Sequence, residues 1–312
     1  MTHHQPVMVA EVLEGLALRP GDDVIDATIG GGGHAAAMLQ AIAPDGRLLG
    51  LDADPDAITR CQQRFAEEIS AGRVILAHAN FTRLREIAQA YDFANVAGVL
   101  FDLGLSSFHL TDPTRGFSFQ MVGPLDMRFD PSQGVPASVL INRLSERELA
   151  DLIYRYGEER HARRIARAIV QARPIRNTRH LAQVIAAAVG SWRERIHPAT
   201  RTFQALRIAV NQELEALESA LPQAVALLRP GGRLAVIAFH SLEDRIVKRF
   251  FQRESRDCIC PPRMPVCTCG HKATLRIITR RPQRPSTEEV ARNPRSRSAR
   301  LRIAERLPAP QG

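Results

Sequence analysis

Four consecutive glycines, Gly30 to Gly33, follow the short apolar run Val24-Ile25-Asp26 and lead into Ala35-Ala36-Ala37-Met38-Leu39. A run ending on a carboxylate, a glycine turn and a good helix former read as strand, loop and helix, the opening of a βαβ unit. That unit commits the chain to an α/β fold. Glycine is wanted where a ligand lies against bare backbone, with N–H groups at the helix N-terminus turned towards it. A second apolar run, Leu48-Leu49-Gly50-Leu51-Asp52, also closes on an acid. A carboxylate at the end of the second strand can accept both hydroxyls of a ribose. The two runs together predict an adenosine-bearing cofactor.

Which cofactor is left open by this stretch. Gly30-x-Gly32-x-x-Ala35 fits the dinucleotide pattern, so a nicotinamide cofactor is a rival. Asp26 tips the reading towards S-adenosylmethionine, since a carboxylate beside the loop suits the ammonium of a methionine moiety and repels a pyrophosphate. A glycine-rich surface turn is the plain alternative.

Val9 to Leu16 reads as a lead-in helix, and Asp54-Pro55-Asp56-Ala57 opens another that runs to Ile69. Arg73 to Phe81 is a third strand ending on a polar–aromatic pair, with Phe81 either core or cover for an adenine face. Val96 to Asp102 is a fully apolar fourth strand ending on a third carboxylate. Strands alternating with helices predict a parallel sheet. Ligands of such sheets sit at the carboxyl ends of the strands, where Asp26, Asp52, Phe81 and Asp102 all fall.

The rhythm then changes. Leu103 to Pro136 is irregular and rich in Gly, Pro, Asp, Ser and Phe, too aromatic for disorder, and reads as a loop covering a site. Ser145-Glu146-Arg147-Glu148 is a capping box that opens a run of helices. We expect a helical insertion at 115–200 within a domain formed by 1–114 and 201–312. A helix starting at His197 ends at Leu228-Arg229-Pro230-Gly231-Gly232, and Arg233 to Phe239 resumes the sheet. Ser241 is the expected cap of the next helix, and Ala273–Arg280 and Ala299–Glu305 are two closing strands around a basic loop.

No apolar run in the 312 residues reaches the roughly 18 needed to span a membrane. Met1 to Pro6 lacks the basic-then-apolar order of a signal peptide, and five cysteines, an odd number, speak for a reducing compartment. The expected location is the cytoplasm. The net charge of +9 is unevenly spread: Lys272–Gly312 holds eleven basic residues against three acids, and Arg155–Arg179 holds eight against two. Segments of this kind suit a nucleic acid, with a solvated helix face and a loose arginine tail as the plain alternative. Arg163, Arg164 and Arg167 share one helix in this reading, and Arg295, Arg297, Arg300 and Arg302 alternate as a phosphate track. Cys258-x-Cys260 and Cys267-x-Cys269, with His271 nearby, offer four thiols for a structural zinc, although C-x-x-C is the usual spacing. A metal-free loop is the alternative.

In their order these stretches closely resemble the bacterial MraW (RsmH) family of cytosine-N4 methyltransferases, which modify small-subunit ribosomal RNA. The marks are His4-x-Pro6-Val7, Asp26-x-Thr28-x-Gly30-x-Gly32-Gly33-His34, Asp102-Leu103-Gly104-x-Ser106-Ser107 and Arg115-Gly116-Phe117-Ser118-Phe119. To these are added Gly123-Pro124-Leu125-Asp126-Met127-Arg128, Tyr156-Gly157-Glu158-Glu159, the run from His197 to Arg207, Phe239-His240-Ser241-Leu242-Glu243-Asp244-Arg245 and Asn293-Pro294-Arg295-x-Arg297-Ser298-Ala299. The resemblance implies a Rossmann-like class I methyltransferase sheet, with S-adenosylmethionine held by Gly32, Gly33, His34, Asp52, Phe81 and Asp102. His109 stands where many members have a glutamine that contacts the cofactor, and the resemblance carries that contact over to His109, with an imidazole in place of the amide. Direct transfer to the amine needs no cysteine nucleophile. The expected roles are amine contact by Asp102 and base-pocket shaping by Ser106 and Ser107, with Asp102 serving only the cofactor as the alternative. The implied partner is small-subunit ribosomal RNA, naked or in an assembled subunit, for a monomer or homodimer without a membrane. A catalytically silent assembly factor that keeps the fold to hold RNA is the rival from another class.

Overall fold

The computed structural model describes residues 5–190, 197–261, 264 and 266–309, so His4 of the first signature lies outside the described residues. Seven strands form one sheet: β1 (Val24–Asp26), β2 (Leu48–Asp52), β3 (Val74–His78), β4 (Val96–Asp102), β5 (Leu228–Ala238), β6 (Leu275–Ile277) and β7 (Arg300–Arg306). Their order is β3-β2-β1-β4-β5-β7-β6. β1 to β5 are parallel, and β7 enters antiparallel to both β5 and β6. This is the expected Rossmann-like methyltransferase sheet.

The central strands are apolar because both faces are covered. In β1, Val24 and Ile25 are both fully buried, as are Leu48 and Leu49 in β2. Alternation sends Ile25, Leu49, Phe101 and Val236 into one core, and Val24, Leu48, Leu100 and Ile237 into the other. β5 begins earlier than the sequence suggests: Leu228 already pairs with Val96, and the register jumps to Gly98 against Arg233. The Pro230-Gly231-Gly232 segment is therefore a bulge within the strand rather than a turn before it.

The chain divides into two compact units, Met1–Gly104 with Ala216–Gly312, and Leu105–Glu215. The second unit is wider than the expected 115–200. The helix Ala199–Asn211 gives Ala199, Phe203 and Leu206 to its core, and Leu105 and Leu110 pack against that core too. From Leu105 on, the irregular segment is built into this unit, with Phe117, Leu125 and Met127 buried. Asn211 fastens it, donating to the Met127 carbonyl at 2.7 Å and accepting from the Phe129 N–H at 2.7 Å.

Other boundaries also moved. The helix expected to run to Ile69 breaks at Phe65 into Pro55–Arg64 and Ala66–Ser70. The long helix after His197 breaks at Gln212, whose φ is 50°. The basic loop between the closing strands contains a helix, Thr287–Arg292, capped by Ser286. The helix Ser241–Glu254 is capped by His240, which accepts from the Glu243 N–H, and not by Ser241.

Candidate active site

β1, β2 and β4 lie side by side and end on Asp26, Asp52 and Asp102. The chain winds outwards in opposite directions from β1 and β4, and the crevice at such a reversal is where open α/β sheets take their ligands. The glycine loop leaves β1 under tight restraint. Asp26 Oδ1 accepts from the Thr28 N–H at 3.1 Å, and Asp52 accepts from Gly30 N–H at 2.8 Å and Asp54 N–H at 2.8 Å. Arg64 donates to the Gly31 carbonyl at 2.7 Å and the Cys61 thiol to the Gly30 carbonyl at 3.5 Å. Gly32 caps the helix Gly33–Ala41 with φ 73° and no side-chain hydrogen bond, which leaves the helix end to whatever lies before it.

The need for glycine comes partly from the protein itself. A Cβ at Gly32 would stand 2.7 Å from the Phe65 ring, and one at Gly33 would stand 2.8 Å from Pro6. Contact with a ligand is thus not the only reason for the run.

Asp102 is held by its backbone. Its N–H donates to Thr28 Oγ1 at 2.6 Å, and Oδ2 lies 3.5 Å from His34 Nδ1. Oδ1 is buried and has no hydrogen-bond partner among the described residues. His34 Nε2 lies 2.8 Å from the Val7 carbonyl, which can only accept, so Nε2 carries the proton and the neutral ring turns an acceptor towards Asp102. Burial pushes the His34 pKa down, keeping the ring neutral. Burial, and then the charge of Glu243, push Asp102 up to about 7. Asp26 is also raised to about 7, chiefly by burial, with the charges of Asp102 and Asp52 adding to it. Phe81 is half-buried at the start of a 3-10 turn and meets Phe101 edge-on, ring centroids 5.5 Å apart.

The remaining sequence candidates fall as follows. Ser106 caps the helix Ser107–Thr111 in the second unit, accepting from the His109 N–H at 3.3 Å. His109 is buried there, its Nδ1 3.1 Å from Ser106 Oγ and its ring 4.9 Å from Phe117 and 5.4 Å from Phe129. Arg163, Arg164 and Arg167 all lie on the exposed face of the helix Ala162–Gln171, opposite Ile165 and Ile169. The alternating arginine track is corrected. Arg302 is buried and donates to Asp244 at 2.7 Å, and Arg300 donates to the same carboxylate at 3.1 Å. Only Arg295 and Arg297 of the expected set stand exposed without that tie. β7 puts Arg302 on an interior face, so a spacing that looks like a phosphate track is partly a structural ion pair.

Two residues that shape the site were missed. Thr28 orients Asp102, and Glu243 is 2% exposed and accepts from the Phe239 N–H at 2.8 Å while its charge acts on Asp102. Glu243 sits in a helix-capping pattern, and only its burial distinguishes it from an ordinary cap residue.

Three strand-end carboxylates facing an uncapped helix N-terminus disfavour a pyrophosphate. Two of them sit near neutrality, so a ligand carrying positive charge would relieve the site. With the unpartnered Asp102 oxygen and the Gly32–Gly33 turn, the residues fit S-adenosylmethionine, whose ammonium and sulfonium are both cationic. A Rossmann-like sheet with one antiparallel strand and an acid-lined cradle of this kind define a methyltransferase. The MraW methylase family matches residues 1–307, and the chain belongs to that family. S-adenosylmethionine is the methyl donor of the family.

The relatives agree along their length. The "Ribosomal RNA small subunit methyltransferase H" of Thermomicrobium roseum is 60% identical over 309 residues, covering 98% of this chain and 94% of its own. The proteins of the same name from Dehalococcoides mccartyi (strain ATCC BAA-2100 / JCM 16839 / KCTC 5957 / BAV1) and Symbiobacterium thermophilum are 54% and 50% identical. The first covers 98% of this chain and 87% of its own, the second 98% of each. No helix among the described residues is long and apolar enough to cross a membrane.

Proposed function

We propose that this methylase acts in the cytoplasm on the exocyclic N4 amine of a cytidine in small-subunit ribosomal RNA. The observation that carries the reading is Asp102, which ends β4 at the sheet reversal with one buried oxygen free to accept. A cytosine amine is a poor nucleophile because its lone pair is delocalised into the ring. A hydrogen bond from the amine to Asp102 Oδ1 holds that pair at nitrogen and aims it. The bound cofactor supplies an electrophilic methyl group. Asp26 accepts from its ammonium, Asp52 takes the ribose hydroxyls, and Phe81 lies against the adenine.

Methylation at carbon-5 would need a thiolate. Burial and the charges of Asp26 and Asp52 push the Cys61 thiol up to about 12, and the other four cysteines lie together at 258–269. The second unit is assigned to RNA, through Ser106, Ser107 and the exposed Arg163, Arg164 and Arg167, and in the first unit Arg295 and Arg297 join them. The relatives' printed name supports ribosomal RNA as the substrate. His109, enclosed by Phe117 and Phe129, is not assigned to the cofactor.

The test is to incubate the protein with labelled S-adenosylmethionine and small subunits, or naked RNA, from cells lacking the enzyme. Nucleoside mass spectrometry should find N4-methylcytidine. A label on carbon-5 or on another base would overturn the amine reading.

Cofactor affinity should also depend on pH. Asp26 must be ionised to hold an ammonium, and in the ligand-free site its pKa is about 7. Calorimetric titration should find binding about tenfold tighter at pH 8 than at pH 6. Asp26→Asn should bind more weakly and lose most of that slope. An unchanged slope in Asp26→Asn would remove Asp26 from the cofactor site.

A further inference from the structure

The loop between the helix Ser241–Glu254 and β6 carries four of the five cysteines and has no part in the chemistry above. Its two ends are tied together. The Thr274 N–H donates to the Glu254 carbonyl at 2.8 Å, Thr274 Oγ1 to the Glu254 carboxylate at 2.9 Å, and the Ala273 N–H to Asp257 at 3.3 Å. Beyond that neck the loop has little hydrophobic support, with Ile259 44%, Met264 46% and Val266 70% exposed. What draws its two limbs together is a cluster of sulfur atoms. Cys258, Cys260, Cys267 and Cys269 have their four sulfurs within 4.8 Å of one another.

We propose that these four cysteines hold one zinc ion in a tetrahedral site that staples the loop. The separations are those of an ion's coordination shell. Sγ of Cys267 lies 3.5 Å from that of Cys269, Cys258 lies 3.8 Å from Cys269, and Cys260 lies 3.9 Å from Cys267. Four sulfurs at a Zn–S distance of about 2.3 Å stand about 3.8 Å apart along each tetrahedral edge. A disulfide would need about 2.05 Å between its sulfurs.

The C-x-C spacing has a physical reason here. Neither pair lies on a helix or a strand. The two limbs meet crosswise, Cys258 against Cys269 and Cys260 against Cys267. C-x-x-C suits a turn that wraps round the metal; C-x-C suits two limbs that face each other across it. Two backbone amides support the shell: Ile259 N–H points at Cys269 Sγ at 3.5 Å and Cys260 N–H at Cys258 Sγ at 3.4 Å. Such donors offset the charge of metal-bound thiolates. His271 is held elsewhere, its Nε2 3.1 Å from the Arg253 carbonyl, so the ligand set is four sulfurs. On binding, each thiol gives its proton to solvent and the ion keeps its oxidation state.

The full-length protein, purified without chelator or added metal, should contain about one zinc per chain by plasma mass spectrometry. The double variant Cys258→Ser/Cys269→Ser should contain less than about a tenth of that, while Cys61→Ser keeps it. Protein stripped by chelator and titrated with cobalt(II) should develop the intense visible absorption of a tetrahedral thiolate site, and zinc should then displace it. The cobalt titration reads metal binding without relying on the folding of a variant. Stripped, reduced protein that develops no such absorption would overturn the proposal. So would equimolar iron in place of zinc, or disulfides among the four cysteines in protein purified under reducing conditions.

Discussion

Methyl transfer should fall by about 10²–10⁴-fold when Asp102 is replaced by alanine, with the loss in kcat. The wild-type carboxylate sits at the end of β4 with its backbone fixed by Thr28 and a buried oxygen left over. Alanine leaves the strand and the Thr28 contact in place, since that contact uses the main chain, and removes only the acceptor. If Asp102 serves the amine, cofactor affinity by calorimetry should change far less than kcat. If it serves only the cofactor, affinity and kcat/KM should fall together, and saturating cofactor should restore kcat. That second outcome would move amine recognition to backbone carbonyls beside Asp102. The pH profile gives an independent check. The ionised carboxylate is the stronger acceptor, and the Asp102 pKa in the ligand-free site is about 7, so the rate should rise with pH through that region.

Asp244→Ala should destabilise the fold by about 3 kcal/mol, a large share of what a domain has to spare. Asp244 accepts from Arg302 at 2.7 Å and from Arg300 at 3.1 Å, with side-chain exposures of 11% for the acid and 8% for Arg302. Removing the acid leaves Arg302 charged, buried and without that partner, which costs more than the pair itself contributes. Chemical denaturation would show it as a lower midpoint with an unchanged slope. A loss under 1 kcal/mol would mean that Arg302 finds water once the acid is gone. The pair also sets a pH limit. Arg302 and Arg300 hold the Asp244 carboxyl below its usual range. Its contribution is complete above the unfolded carboxylate pKa of about 3.9 and is lost as pH falls through the lower folded value. Asp244→Ala should therefore flatten the acid side of the stability curve.

Much of the first unit was legible because its signals are local. An apolar run ending on an acid followed by glycines has few other readings, and the same pattern placed Asp26, Asp52 and Asp102 on one edge of one sheet. Features that depend on distant partners were not legible. Leu228 looks like the end of a helix until Val96 is set beside it, and the bulge at Pro230-Gly231-Gly232 exists only in that pairing. Arg302 reads as one of several basic residues until β7 turns it towards Asp244. Serine is the commoner cap, so the local pattern favours Ser241, yet the His240 imidazole accepts from the Glu243 N–H. The second unit's extent depends on distant partners in the same way: its core draws on Leu105 and on Phe203 and Leu206, from opposite ends of the segment. Within the site, the orphaned oxygen of Asp102 could not be read from sequence, because absence of a partner is a property of the packed chain.

The placement of β7 between β5 and β6 has a consequence for how the molecule is made. A ribosome delivers β1 to β4 first, then the 105–215 unit, and β5 to β7 last. Until β5 arrives, the nascent sheet has β4 as an open edge, with unpaired N–H and C=O groups beside an apolar surface. The core cannot be closed by proximity in sequence, since β5 must return across more than a hundred residues to pair with β4. β6 then waits again, because among the described strands its partner is the one that follows it. The strand that joins the last hairpin to the rest is therefore made after both of its neighbours, and a chain stalled before Arg300 carries every acid of the candidate site on an unfinished sheet.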